Sequence, residues 1–208
     1  MDKNTFIFRI IHYKNLNYIL KNGIFCCNSP HQSSNYIPIG DKALISSRGL
    51  KEVPISPFGV LNDYIPFYFG FHSPMLYKIY KGTVDNIKCS QSTVIYLISS
   101  VEEIITNKLE FVFTDRHAYQ QYANFFNDIN GLNKLDWNVI KAKNWANNIQ
   151  DNDRMSRKQA EFLVYNFLPV NCIINIGVYN KTTLKIVETV IKQNNLNIPV
   201  SFKPDWYY

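Results

Sequence analysis

The sequence predicts an α+β fold with a mostly β core, and three observations carry that reading. The chain has 208 residues, 46% hydrophobic and 15% aromatic, enough for a sizeable core in one domain spanning residues 1–208. Short runs of β-branched and aromatic residues recur along its length. Between them lie a few stretches of helical period, the clearest over 182–193.

Taken in order, residues 6–11 read as a first strand. A helix follows over 14–22, with Leu16, Ile19 and Leu20 on one face and Gly23 just past its end. Residues 24–27 read as a second short strand. From 28 to 57 Pro, Ser, Gly and Asn break the period, apart from a brief helical possibility over 42–47. A segment of that length inside a domain is expected to carry function or to move. Order resumes with a strand over 64–69 and a helix over 73–80, capped by Ser73 with Pro74 in its first position. Strands are predicted over 93–98 and 110–113, with a short helix between them. Asp115 is placed to cap a helix running through Tyr119, Tyr122, Phe125 and Phe126, and 135–143 suggests another. A polar loop over 144–157 leads to strands over 160–167, 173–178 and 198–202.

Composition excludes more than it selects. Twenty-two Lys and Arg against 16 Asp and Glu leave a net charge of +6, which fits an ordinary basic protein or one that meets an anion. The four cysteines form no CxxC pair, and Cys26 and Cys27 are adjacent, a poor geometry for a disulfide or for paired zinc ligation. A reducing cytoplasm is therefore expected. No stretch approaches the roughly 18 apolar residues of a membrane helix, and the N-terminal apolar run is too short for a secretory leader. GxGxxG, GxxxxGK[ST] and GxSxG motifs do not occur. His12, His31, His72 and His117 show no ligand spacing, so no metal site is expected.

Three residues invite chemistry. If a strand runs through 160, Gln159 and Glu161 share a face, and a carboxylate among apolar neighbours needs a partner. It is either a surface glutamate, one paired with Arg9 or Lys158, or a functional group. Arg9, alone in an apolar strand, needs a carboxylate or a ligand phosphate. Arg48, in the irregular segment, is a mobile basic residue or one that closes over a phosphorylated ligand.

An Arg on the first strand with a late Gln-x-Glu resembles one branch of ADP-ribosyltransferases. Longer strings are more specific: 59–69 (GVLNDYIPFYF), 73–77 (SPMLY), 111–117 (FVFTDRH), 158–165 (KQAEFLVY) and the terminal DWYY. Together, from Arg9 to Tyr208, they resemble the DarT family, DNA ADP-ribosyltransferase toxins of DarT–DarG toxin–antitoxin systems. The resemblance implies a compact ADP-ribosyltransferase fold with a mostly antiparallel sheet, NAD+ as substrate and single-stranded DNA as acceptor. Thymidine is the favoured base, with guanosine open. A macrodomain antitoxin of the DarG kind would reverse the mark. The same resemblance makes Glu161 and Arg48 catalytic. It lines the NAD+ site with Arg9, Ile10, Ile11 and His12, and with Tyr18 and Cys26. It sets Met75 and His117 at the nicotinamide or acceptor end. Arg154, Arg157 and Lys158, just ahead of Glu161, are expected to hold DNA phosphates. Rival readings are an ADP-ribosyltransferase acting on RNA or protein, a non-catalytic nucleic-acid-binding module, and a metal-dependent nuclease using Asp63, Asp115 and Glu161. The nuclease lacks a Glu-x-Lys pair, since Leu163 stands where the lysine would be.

Overall fold

Apolar alternation makes β1 (Phe6–His12) an inner strand, with Ile7 and Ile11 in one core and Phe8 and Ile10 in another. The computed structural model, which describes residues 5–84 and 89–208, continues into α1 (Leu16–Asn22), burying Leu16, Ile19 and Leu20. Gly23 ends α1 at φ +84°, and a Cβ there would stand 2.5 Å from the Phe167 ring, so the site admits glycine alone. After β2 (Ile24–Phe25), the irregular segment contains α2 (Lys42–Arg48). The Asp41 carboxylate caps it, accepting from the Ala43 and Leu44 N–H groups. β3 (Tyr64–Tyr68) leads to α3 (Pro74–Tyr80), capped as expected by the Ser73 hydroxyl. Next come β4 (Val94–Ser100), α4 (Val101–Thr106), β5 (Phe111–Thr114) and β6 (Phe125–Phe126). The rest comprises α5 (Trp137–Lys141), α6 (Arg154–Lys158), β7 (Glu161–Tyr165), β8 (Phe167–Leu168), β9 (Asn175–Val178), α7 (Lys181–Gln193) and β10 (Val200–Phe202).

Eight strands form one sheet in the order β10-β9-β4-β1-β3-β7-β5-β6, antiparallel except between β9 and β10. β2 and β8 pair separately. One core, including Ile7, Ile65, Leu97 and Phe162, runs beneath the main sheet and takes in α1 and α7. Two smaller cores cover other parts: Phe8, Tyr96, Leu76 and Tyr207 near β1 and β4, and Tyr64, Val112, Ala118 and Leu163 near β3, β5 and β7. β1 pairs with β4 from Phe6 to His12 but meets β3 at the Phe8–Tyr68 rung. Past that rung the two strands part. Pro66, which has no N–H to give a ladder, lies on the parted edge of β3.

Several expectations are corrected. The helix predicted after Asp115 does not form: Phe125 and Phe126 instead pair with Thr114 and Phe113 as β6. Cross-strand burial of the rings outweighs their helical spacing, and the Asp115 carboxylate accepts from Asn124 rather than capping a helix. The strand expected over 160–167 breaks at Asn166, whose φ is +57°, so β8 turns away to pair with β2. The polar loop ends in α6, and Gln159 closes that helix, its side chain donating to the Met155 carbonyl. Gln159 therefore does not share a strand face with Glu161. All four cysteines are free thiols. Among the described residues no helix is long and apolar enough to cross a membrane.

Candidate active site

Charged groups gather where the sheet opens. Glu161 begins β7 directly opposite Tyr68, which itself opposes Phe8 at the rung joining β1 and β3. The carboxylate is 2% exposed. Its Oε1 accepts from Arg48 Nη1 at 3.1 Å and from the Ala118 N–H at 2.9 Å, while Oε2 stands 2.9 Å from Arg48 Nη2. The guanidinium thus meets both carboxylate oxygens, one through a hydrogen bond from Nη1 and the other through an ion-pair contact of Nη2. Arg48, also buried, reaches Glu161 because it is the last residue of α2. The Thr114 hydroxyl accepts from the Glu161 N–H at 3.3 Å, tying the start of β7 to the end of β5. His117 Nδ1 lies 3.9 Å from Glu161 Oε1 and accepts from the Tyr119 N–H.

Burial alone would push the Glu161 carboxyl up, but Arg48, with help from the Ala118 N–H, holds it below its ordinary value. The carboxylate is thus charged at neutral pH. Burial pulls Arg48 down and Glu161 more than restores it, so the guanidinium keeps its proton and cannot serve as a base. His117 is lowered by burial against the pull of Glu161, and Arg48 and Lys78 lower it further. It is neutral, and because Nδ1 accepts, its proton is assigned to Nε2. Burial and the Glu161 charge push the Tyr68 hydroxyl up, leaving it a donor.

Arg9 bridges the parted strands, donating from Nη1 to the Pro66 carbonyl at 2.9 Å. Its Nε is buried with no partner, and among the described residues no carboxylate pairs with it. The side chains of Ile10, Ile11 and His12 are buried, so what these residues offer a ligand at the open edge is main chain. A cleft of about 640 Å³ lies between Ser47, Leu50 and Lys51 on one wall and Tyr119 to Tyr122 on the other. Those walls are chain neighbours of Arg48 and Ala118, the two groups bonded to Glu161.

The family model described as "DarT: ssDNA thymidine ADP-ribosyltransferase" matches residues 8–208. The chain belongs to the DarT family. A DNA ADP-ribosyl transferase of Escherichia coli O127:H6 is 33% identical over 206 residues, covering 99% of this chain and 94% of that one. The structure of Thermus sp. 2.9 DarT in complex with ADP-ribosylated ssDNA matches with a TM-score of 0.90 at 37% identity, covering 99% of this chain and 97% of that one. The same Thermus protein in complex with NAD+ matches with a TM-score of 0.84 at 36% identity, covering 99% and 98%.

Within this DarT chain the structure sorts the remaining expected residues. Glu161, Arg48 and His117 come together, and the Lys78 charge reaches His117 from α3, the helix that carries Met75. The Tyr18 hydroxyl donates to the His31 carbonyl, fastening α1 to the irregular segment. Cys26 is corrected: it is 3% exposed and packs in the main core, and its neighbour Cys27 is the exposed thiol.

The three expected phosphate contacts are corrected too. Lys158 is 4% exposed and its Nζ donates to the Ile140 and Ala142 carbonyls. Arg157 pairs with Asp136 and Asp151, with Asp153 3.7 Å from its Nε, and Arg154 donates to the Asn144 carbonyl. These cations hold the 136–158 segment together. Tyr68, Thr114 and the Ala118 N–H complete the site and were not anticipated. Pro66 is the sequence signal that could have found Tyr68, because a proline inside a strand marks an open edge.

Proposed function

We infer that this protein transfers ADP-ribose from NAD+ to a thymidine base in single-stranded DNA. The observation that carries the reading is a buried carboxylate held ionised by a forked arginine at the opening of the sheet. Cleavage breaks the bond between nicotinamide and ribose C1′, and its electron pair leaves on nicotinamide, whose ring becomes neutral. Oxocarbenium character develops at C1′, as in glycoside cleavage. Glu161 supplies fixed negative charge beside that cation and an acceptor for a ribose hydroxyl. Arg48 keeps the carboxylate oriented and charged, a role its raised pKa favours over proton abstraction. Arg9 and the open edges of β1 and β3 are where the dinucleotide would be received, with the unpartnered Arg9 Nε facing a need that a ligand can meet. A thymine ring nitrogen then bonds to C1′ as its N–H bond breaks, the proton passing to the Glu161 carboxylate, the ionised acceptor at the site, and from there to water.

For the acceptor, Met75 and His117 stay as candidates, while the basic contribution passes from the 154–158 cluster to α3. There Lys78, Lys81, Tyr77 and Tyr80 are exposed, a mixture of cations and rings that suits unpaired nucleotides. We also read residues 1–208 as one catalytic domain acting in the cytoplasm. It would be the toxin of a toxin–antitoxin pair whose antitoxin carries a macrodomain.

The test is the intact mass of oligonucleotides incubated with NAD+ and the protein. A single strand containing thymidine should gain one ADP-ribosyl group. The same strand without thymidine should not, and annealing to a complement should suppress the gain, since flipping a paired base costs a few kcal/mol. Modification of the thymidine-free strand, or of RNA or protein in its place, would replace the thymidine reading.

A further inference from the structure

Lys158 is a buried cation that the proposed chemistry leaves unused. The residue is 4% exposed, and among the described residues no carboxylate lies within ion-pair distance of its ammonium. Its partners are two main-chain carbonyls at the end of α5, Ile140 at 2.7 Å and Ala142 at 2.8 Å. Those carbonyls have run out of helix, so a cation is well matched to them. A solvated surface would satisfy them at far smaller desolvation cost.

The same Ile140 carbonyl is approached from a second side. Gly70 packs against it so closely that a Cβ would stand 2.8 Å from the oxygen. Gly70 follows the end of β3, two residues past Tyr68, and Lys158 precedes β7, three residues before Glu161. Tyr68 and Glu161 are the directly opposed pair at the site. One oxygen atom therefore takes a contact from each of the two chain segments that enter the active-site rung.

We propose that the Ile140 carbonyl is a clamp, gripped by Lys158 and abutted by Gly70, that positions the Glu161 carboxylate. Lys158 is a positioning residue, acting through α5, the turn at Gln159 and the start of β7. The proposal rests on Glu161 being the catalytic carboxylate. Displacing a reacting group by about 1 Å can cost on the order of a hundredfold in rate. On the reading above NAD+ is received chiefly at Arg9 and the open edges of β1 and β3, away from Lys158, so its affinity should change little.

Three variants test it: Lys158→Met, which removes the donor; Gly70→Ala, which pushes on the same oxygen; and Lys158→Arg, which keeps a cation and two donors. Two readouts are needed. The first is the amide resonance of Ala118, whose N–H donates to Glu161 Oε1 and so reports the carboxylate whether or not the enzyme turns over. It should move in Lys158→Met and in Gly70→Ala, in the direction seen in Glu161→Gln, and stay near its wild-type position in Lys158→Arg. The second is steady-state transfer to a thymidine oligonucleotide. In the first two variants kcat should fall at least about tenfold with the KM for NAD+ within about twofold, and combining them should add little. An unmoved Ala118 resonance in folded Lys158→Met, or a loss that merely follows the unfolded fraction, would overturn the clamp. If the wild type fails to modify DNA, the functional reading falls, while the Ala118 resonance still decides whether the clamp reaches Glu161.

Discussion

Glu161 and Arg48 depend on each other. Alone in the interior, either charge would be costly; as a forked pair each keeps the other ionised. Because the folded value of Glu161 is depressed, its stabilising contribution is full above the unfolded glutamate value and is lost as pH falls through the folded one. At neutral pH Glu161→Gln should cost about 3 kcal/mol of stability, since it leaves a buried guanidinium without its counter-charge. The gap between wild type and variant should stay level from about pH 5 to 8 and narrow below about pH 4, where the glutamate of the unfolded chain takes up a proton that the folded carboxylate still resists. Urea unfolding across that range measures it; a gap that widened on acidification would mean Glu161 is not held charged by Arg48. The carboxylate itself was legible in the sequence, as a charge within an apolar string. The pairing was not: Arg48 lies 113 residues away, and the residues alone offered Arg9 or Lys158 as the partner.

At the scale of elements, local signals served best where a cap or a period acts alone. Ser73 with Pro74 and the stripe of α1 form as their residues dictate. Local signals fail where tertiary pairing competes, as at Phe125 and Phe126, whose rings bury better against β5 than on a solvent helix. The basic run Arg154-Met155-Ser156-Arg157-Lys158 shows the same limit. Spacing reveals the charge but not the aspartates at 136, 151 and 153, nor the carbonyls that occupy it. Arg157→Gln should therefore lower the melting temperature while leaving the salt dependence of oligonucleotide binding unchanged. Lys78→Gln, on the exposed face of α3, and Lys81→Gln, just past its end, should do the reverse, each lowering the slope of log K against log salt by about 0.7 where a phosphate contact is lost. A salt titration of all three variants decides between the two surfaces, and a flattened slope in Arg157→Gln alone would return the strand path to the 154–158 cluster.

Across the whole molecule, the main sheet is continuous enough to be rigid and open enough to be used. β1 is held by β4 along its length and by β3 at the Phe8–Tyr68 rung, so a ligand can enter between strands without unpairing either from its other neighbour. That opening was not legible from periodicity, which sees single strands; the family strings implied the fold as a whole, and Pro66 was the one residue that marked the edge. The central claim is that the Glu161 carboxylate at this opening carries the transfer. Its most direct test is the turnover of Glu161→Gln on NAD+ and a thymidine oligonucleotide, measured below the variant's melting temperature with the shift that NAD+ induces in that temperature recorded beside it. The account predicts a folded variant that NAD+ still stabilises and whose transfer is slower by at least about 10²–10³-fold. A folded variant that transfers ADP-ribose within about tenfold of the wild-type rate would contradict it, because removing a fixed charge beside a developing cation cannot be that mild.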